Sequence, residues 1–179
     1  MPTPISHFAV GFAVAAWTQQ DAPTRRVCVA AAVCGALPDI DVLGSALHVA
    51  QTSLFSHRAL THSLTFALMA AVAVTRVFFR GDEWGGAQGR TRIGFILALA
   101  LLSHACLDAL STYSSGVEFL APFSQERFRF AWTPLGDPHW GIGAQLAQEA
   151  ALVLLPAVLV AWLGLKIRGR PVASKPAAA

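Results

Sequence analysis

Histidines and aspartates, the residue types that bind metals, are concentrated where the apolar segments of this sequence end. They occur in four short stretches: Ser6-His7, Leu37–Asp41, His57–Ser63 and His104–Asp108. Ionisable groups beside apolar segments are costly to bury unless they are paired or bind a metal. Imidazole and carboxylate are suitable ligands for zinc, manganese or iron. We therefore predict a metal site built from seven residues: His7, Asp39, Asp41, His57, His62, His104 and Asp108.

His104 and Asp108 form the most informative pair. They are four residues apart, so they share one face of a helix and are able to bind one ion or to bridge two. An ionisable pair within an apolar, membrane-type segment is a functional-site hypothesis by default. A structural hydrogen bond between the two side chains is the alternative interpretation.

The other candidate ligands depend more on their surroundings. Asp39 and Asp41 follow a helix-stopping proline, and an extended or turn segment there lets both reach inward. The alternative is a helix stop with a capping aspartate. His57 and His62 are five residues apart and do not share a helix face, so helix geometry places at most one of them. The alternative to metal binding by His57 and His62 is a polar loop with His62 at a helix start. The alternative for His7 is a cap-region or interfacial histidine.

Seven candidate ligands exceed what one zinc ion requires and predict two ions. A pair of ions generates hydroxide near neutral pH and holds both the attacking and the leaving oxygen. Arg58 lies between two candidate histidines, and its guanidinium is able to bind a phosphate oxygen in bidentate fashion. The alternative for Arg58 is an interfacial anchor, or a salt bridge to Asp39 or Asp41. Arg127 and Arg129 are weaker candidates of the same kind.

The composition predicts that a membrane surrounds these residues. Of the 179 residues 55% are hydrophobic and 13% are charged, and the mean hydropathy is +0.54, whereas a soluble domain has about 25% charged residues. The basic residues are dispersed between apolar runs, which indicates membrane topology rather than nucleic-acid binding. The sequence has no GxSxG, HExxH or Walker A motif, so it favours none of the enzyme classes that these motifs mark.

Five helical segments are predicted to position the site. They cover residues 6–17, 25–37, 62–79, 93–110 and 148–165. Ser6 is the expected N-cap of the first, and Pro156 is expected to kink the last. The last three approach the ~20 apolar residues that cross a bilayer, and the first two are short. The predicted fold is an all-α integral membrane bundle with a long loop before the last helix. Residues 1–168 form one hydrolase domain, and residues 169–179 form a disordered cytoplasmic tail.

The basic residues predict how the bundle is oriented. If all five segments cross the membrane, ten of the 13 lysines and arginines fall on one side, and Arg58, Arg127 and Arg129 fall on the other. The positive side is cytoplasmic, so the N-terminus is predicted outside and the C-terminus inside. All seven candidate ligands then lie near the outer face. We therefore predict a multi-pass protein of the inner (plasma) membrane with an outward-facing site.

The four stretches, together with residues 120–124 (Leu-Ala-Pro-Phe-Ser), resemble a known family. The sequence looks like the bacterial inner-membrane metal-dependent hydrolases, which are also labelled LexA-binding. The resemblance covers residues 6 to about 130, and the combination of stretches is specific to it. It implies an integral membrane protein of bacterial or archaeal type with hydrolase activity. Nothing in these residues supports the LexA-binding label.

The sequence also has a remoter similarity to zinc-dependent phospholipase C and the related single-strand nucleases. Those are helical proteins in which the aspartate of a His-x3-Asp pair bridges two zinc ions. The likeness implies that Asp108 bridges two ions here. It further implies that His104 binds one ion with His62 and one of the two aspartates at 39 and 41, and that His7 binds the other ion.

The sequence departs from those enzymes in two respects. They carry a third zinc on a later His-x3-Glu pair, whereas the matching region here offers Gln145 and Glu149 without a histidine. Glu149 is instead expected to be a carboxylate at the N-terminus of the fifth helix. Their N-terminal amine also binds metal, whereas here Met1 is followed by Pro2. Two ions are therefore expected, and the substrate does not carry over.

The sequence thus predicts a membrane-bound metal-dependent hydrolase with two divalent ions, zinc first and manganese or iron as alternatives. The expected substrate is a phosphoester of a lipid or of a lipid-linked headgroup, so the partners are membrane lipids and not nucleic acids. A metal- or proton-coupled transporter is the alternative from another class, with ligands near the midplane that line a continuous path. A third interpretation is a non-catalytic membrane protein whose ligands close around a structural metal.

Overall fold

Helices and turns make up the part of the chain that the computed structural model describes, namely residues 2–19, 24–42, 47–48, 54–112, 115–137 and 139–168. Two isolated β-bridges occur among these residues, and no strand does. The predicted all-helical class is therefore confirmed. The predicted tail, residues 169–179, lies outside the described residues.

Five helices carry the described structure. They are α1 (Pro4–Thr18), α2 (Arg25–Ala36), α3 (Leu64–Phe78), α4 (Gly86–Ala109) and α5 (Ile142–Arg168). Short 3-10 turns cover Leu37–Asp41, Leu60–His62 and Asp82–Trp84. Helix α1 packs against α2, α4 and α5, and α3 packs against α4. This arrangement brings the ends of four helices together around the candidate ligands.

Small residues allow α1 and α2 to approach closely. Ala15 and Ala16 of α1 and Ala31 of α2 are completely buried. A Cβ atom on Gly11 would lie 2.4 Å from the Ala31 carbonyl oxygen, and one on Gly35 would lie 2.5 Å from that of His7. Close backbone approach through glycine and alanine is typical of helix packing in membranes. The glycines therefore set the spacing at which the backbones of α1 and α2 meet.

Two of the described helices are long and apolar enough to cross a membrane. They are α4 with 24 residues and α5 with 27. Helices α1 and α3 are apolar but have 15 residues each, or roughly 22 Å at the rise of an α-helix. That length is shorter than the ~30 Å hydrocarbon core. Crossing by all five segments therefore stays a prediction.

The predicted helix starts are wrong at two of the site-forming elements. Helix α1 begins at Pro4 with Thr3 as its N-cap, so Ser6 lies within the helix. Helix α3 begins at Leu64, and the Ser63 hydroxyl accepts a hydrogen bond from the backbone N–H of Phe66. A serine hydroxyl that accepts from the N–H three residues later is a normal N-cap arrangement. With Ser63 as the N-cap, His62 lies in the preceding turn.

The proline after α2 does not end the helical path. Pro38 lies in the first positions of a 3-10 turn that continues to Asp41. Proline fits there because the first N–H groups of a helix have no partner within it. The predicted extended or turn segment is therefore a 3-10 turn, which directs Asp39 and Asp41 to different neighbours.

The last helix contains a π-helical turn close to Pro156, while the predicted kink at the proline stays a prediction. A π-helical turn over Ala150–Leu154 precedes the proline. Just before this turn, the Glu149 carboxylate accepts hydrogen bonds from the backbone N–H and the hydroxyl of Thr3. Glu149 therefore binds the N-terminus of α1, whereas the sequence predicted it at that of α5. A carboxylate at the N-terminus of α1 also complements the dipole of that helix. The contact fixes the first turn of α1, which carries His7.

Candidate metal centre

Four buried side chains from three different elements meet at the ends of the helices. His7 comes from the first turn of α1, His62 from the turn before α3, and His104 and Asp108 from the last turns of α4. Each of the four is at most 1% exposed. Asp39, in the turn after α2, joins them from a half-buried position. We name these five residues the metal centre.

His62 and His104 point their Nε2 atoms at each other, 3.0 Å apart. His104 Nδ1 donates to the carbonyl oxygen of Gly35 at 2.8 Å, and His62 Nδ1 lies 3.2 Å from Asp41 Oδ2. Carbonyl and carboxylate oxygens only accept hydrogen bonds, so each Nδ1 carries a proton, and in the neutral form of each ring Nε2 presents a lone pair. Two such lone pairs repel each other unless a proton or a metal ion lies between them.

Two carboxylates complete this group of ligands. Asp39 Oδ1 lies 3.4 Å from His104 Nε2, and Asp108 Oδ2 lies 3.4 Å from His62 Nε2. One ligand atom from each of the four residues lies within 4.8 Å of all the others. Two imidazoles and two carboxylates suit zinc, manganese or iron. The hydrogen bonds on the far nitrogen of each histidine are those that orient metal ligands in known sites.

His7 and Asp108 have buried atoms that no group among the described residues satisfies. The His7 ring stacks on His104 with centroids 3.7 Å apart, and His7 Nε2 lies 3.6 Å from Asp108 Oδ1. Both ring nitrogens of His7 and Asp108 Oδ1 lack a hydrogen-bond partner. Buried polar atoms are nearly always satisfied, so these atoms are further candidate ligands. Asp108 faces His7 with one oxygen and His62 with the other, as a bridging carboxylate requires.

Asp41 is occupied by hydrogen bonds around the metal centre. It accepts from Thr61 Oγ1 and pairs with His57 Nδ1, both at 2.6 Å, and it accepts from the Arg58 backbone N–H at 3.0 Å. Burial disfavours its charged form, but the hydrogen bonds with His57 and His62 outweigh burial and hold the pKa of Asp41 below its usual range. The anionic Asp41 therefore orients His62.

Asp41 and His57 also belong to a second possible ligand group. Asp41, His57 and His62 place one ligand atom each within 4.8 Å of one another. His57 is only half-buried, with its side chain 20% exposed. The structure thus brings all seven predicted ligands together. Asp39 lies against His104, and Asp41, paired with His57, lies beside the Nδ1 atom of His62.

Arg58 reaches into the metal centre and contacts the predicted bridging carboxylate. Its Nε donates to Asp108 Oδ2 at 3.0 Å, so the salt bridge is with Asp108 and not with Asp39 or Asp41. Arg58 is 4% exposed, and its Nη2 is buried without a hydrogen-bond partner. Its backbone is left-handed, with φ of 68°, a conformation that costs free energy in a non-glycine residue.

The backbone of Arg58 is hydrogen-bonded to Glu118, a residue that belongs to a second ion pair. The Glu118 N–H donates to the Arg58 carbonyl oxygen at 3.0 Å, and the Glu118 carboxylate pairs with Arg127 at 3.0 Å. Arg127 also donates to the His57 carbonyl oxygen. Arg127 is therefore engaged by protein groups and is a poor candidate for substrate binding. Sequence reasoning missed Glu118 because it lies 60 residues away from Arg58 in the sequence.

Gly35 and Thr61 also support the site and were missed by sequence reasoning. Gly35 supplies the carbonyl oxygen that fixes the His104 ring, and Thr61 donates to Asp41. A backbone carbonyl carries no residue-type signal, so only the fold identifies it. For Thr61, the signal available in the sequence was its position next to His62. His48 and His139, which the sequence predicts as surface or loop residues, are outside both possible ligand groups.

Replacing Gly35 by alanine should destabilise the protein and weaken metal binding. The added methyl group would lie 2.5 Å from the His7 carbonyl oxygen, so α1 and α2 must move apart at a cost of about 1–3 kcal/mol. The same movement displaces His7 and the carbonyl oxygen that orients His104. Thermal unfolding in detergent and metal content measure both effects. Gly143→Ala is the matched control, since nothing lies within 4 Å of that Cβ; equal unfolding temperatures for the two variants would contradict the packing argument.

Comparison with known proteins agrees with a membrane location. Residues 1–171 match the family described as YdjM inner membrane protein. Inner membrane protein YbcI of Escherichia coli (strain K12) is 32% identical over 163 residues, which are 91% of this chain and 92% of that protein. No solved structure matches the chain. The predicted inner-membrane family is thus confirmed, while hydrolase and phospholipase C activity stay predictions. The chain belongs to the YdjM inner membrane protein family.

Proposed function

We propose that this protein is a membrane-bound metal-dependent hydrolase that acts on a phosphoester of a lipid or lipid-linked substrate. The observation that carries the proposal is the pair of Nε2 atoms of His62 and His104, 3.0 Å apart with both Nδ1 atoms engaged elsewhere. Oriented lone pairs of this kind, flanked by two carboxylates, are what a divalent ion requires. Zinc is the proposed metal, and manganese or iron also suit these ligands.

The residues fit two ions. Asp39, His62, His104 and Asp108 would hold the first, while His7 and the second oxygen of Asp108 would contribute to the other. When bound, such a pair supplies an activated water as nucleophile near neutral pH. The chain's own residues contribute orientation: Asp41 and Gly35 hold the two imidazoles, and burial excludes bulk water from them.

Arg58 supports a phosphoester as the substrate class. Its Nε is held by Asp108, which leaves the buried Nη2 donor free of protein partners. A guanidinium presents a planar fork that matches two oxygens of a phosphoryl group. Arg58 would bind one of these oxygens and offset the negative charge that develops on it during the reaction.

The position of the ligands favours hydrolysis over transport. His7 is the fourth residue of α1, and Asp108 is the penultimate residue of α4. A transporter requires ligands near the membrane midplane on a continuous path, whereas these ligands lie at helix ends. The unsatisfied atoms of His7 and Arg58 also favour an open site over a structural metal, whose shell would be closed by protein ligands.

The proposed function is tested on the full chain in lipid nanodiscs loaded with zinc or manganese. Phosphate release from a short-chain phosphatidic acid and headgroup release from a phosphatidylcholine measure hydrolysis of a monoester and a diester. We expect release with wild-type protein and none with His104→Ala, which lacks one of the facing lone pairs. Equal turnover of the two proteins, or metal binding without hydrolysis of either class, would overturn the proposal. Metal uptake into proteoliposomes would then favour the transporter.

The proposed topology places the metal centre on the outer side of the membrane. If all five segments cross the membrane, ten of the 13 lysines and arginines fall on the opposite side by their positions in the sequence, and the positive side is cytoplasmic. Reporter fusions after Gly85, between α3 and α4, and after the C-terminal Ala179 should therefore both be cytoplasmic. An alkaline phosphatase signal at either position would contradict the five-span topology and move the site to the other side.

A further inference from the structure

An open groove lies between α3 and α4, away from the metal centre. Its volume is about 540 Å³, and its apolar walls are formed by Leu68, Ala71, Val72, Phe95 and Ala98. Leu68, Val72 and Phe95 are between 49% and 64% exposed, so the groove opens to the surroundings of the bundle. In a membrane those surroundings are acyl chains.

Basic and hydroxyl groups line one end of this groove. Arg76, Arg90 and Thr91 belong to its lining. Neither Arg76 nor Arg90 forms a salt bridge with the residues that the structure describes. This end lies near the last turn of α3 and the first turns of α4, whereas the metal centre adjoins the opposite ends of both helices.

A buried hydroxyl belongs to the lining of the same groove. Thr75 is 6% exposed, and its Oγ1 has no hydrogen-bond partner among the described residues. The oxygen lies where α3 contacts α4, 3.4 Å from where a Cβ of Gly94 would lie. An unsatisfied buried hydroxyl costs about 1–3 kcal/mol, so a ligand that accepts its hydrogen bond would be favoured.

We propose that the groove binds an anionic glycerophospholipid. The acyl chain lies along the apolar walls, Arg76 and Arg90 bind the phosphate, and Thr75 donates to an ester carbonyl oxygen. Basic pockets between membrane helices are known to hold anionic headgroups on the cytoplasmic side, which is the side predicted for these arginines. Two unpaired positive charges also disfavour a second copy of the same helices as the occupant, since like charges repel.

Native mass spectrometry of the full chain, with phosphatidylglycerol and phosphatidylcholine at equal concentration, tests the proposal. We expect one retained lipid with preference for phosphatidylglycerol. The double variant Arg76→Gln/Arg90→Gln should lower that preference roughly tenfold. Arg92→Gln is the matched control, because Arg92 is an exposed arginine on the same helix outside the groove lining. An equal loss in the control, or no loss in the double variant, would overturn the proposal.

Filling the groove provides an independent variant. A Cβ on Gly94 meets only the Thr75 hydroxyl, at 3.4 Å, so a Cβ is tolerated there, and Gly94→Leu is expected to fill the groove with its side chain. It should abolish retention of both lipids and leave the unfolding temperature close to that of the wild type. Unchanged lipid retention together with loss of a dimer would assign the groove to a second copy and overturn the proposal. Asp108→Asn should retain the lipid, which separates this site from the proposed hydrolase site.

Discussion

Replacing Asp108 by alanine is expected to remove most of the metal that the purified protein binds. The carboxylate lies between His7 on one oxygen and His62 and Arg58 on the other, so its loss affects both proposed ions. It also leaves Arg58 as a buried charge without its partner, which costs about 3–5 kcal/mol of stability. Metal per protein, measured by inductively coupled plasma mass spectrometry, reports the effect.

Two further variants separate loss of ligation from loss of folding. Asp108→Asn keeps the size of the side chain but removes its charge, so it should fold and still bind less metal than the wild type. His139→Ala changes an exposed loop residue and should retain full metal content. Equal metal in the Asp108→Ala and His139→Ala proteins would show that the His-x3-Asp pair is not a metal site.

Arg58→Ala is expected to retain the metal and to lower the turnover number for phosphoester hydrolysis roughly 100-fold, as removal of a transition-state donor does in other enzymes. A guanidinium stays protonated and does not coordinate metal. The bound ions would offset the charge of Asp108, which pairs with Arg58 in the present structure. The effect should fall mainly on kcat, because charge on the phosphoryl oxygens develops in the transition state.

Arg58→Lys tests the shape of the donor as well as its charge. Lysine keeps the positive charge but lacks the planar fork, so it should restore only part of the turnover. Arg92→Ala, an exposed arginine in the second turn of α4 and away from the metal centre, is the control and should leave both metal and turnover unchanged. Unchanged turnover in Arg58→Ala would remove Arg58 from the mechanism, and loss of metal would assign it to positioning Asp108.

The sequence by itself determined the membrane class and the pair at the end of α4. Low charge and long apolar segments do not depend on tertiary contacts, because the cost of placing polar groups in hydrocarbon applies to each residue separately. The four-residue spacing of His104 and Asp108 likewise fixes a shared helix face, since helix geometry is local. Both features were therefore predictable, as was the convergence of sequence-distant ligands at one end of the bundle.

Only the tertiary structure distinguished the neighbouring candidates from one another. Asp39 and Asp41 are the same residue type two positions apart, and the choice depends on which of them faces α4. In the structure Asp39 approaches His104, while Asp41 is occupied by the turn that contains Thr61. That outcome depends on a 3-10 turn through Pro38, for which the sequence predicted an extended or turn segment.

The remaining contacts of the site come from backbone groups and from distant side chains. The carbonyl oxygen of Gly35 orients His104, and Glu118 holds Arg58 from 60 residues away. Which carbonyl reaches a histidine depends on how closely α1 and α2 pack, and Gly11 and Gly35 set that distance. Sequence spacing fixes which side chains share an element, but the close packing of separate elements decides which of them touch, because contact requires agreement within a fraction of an ångström.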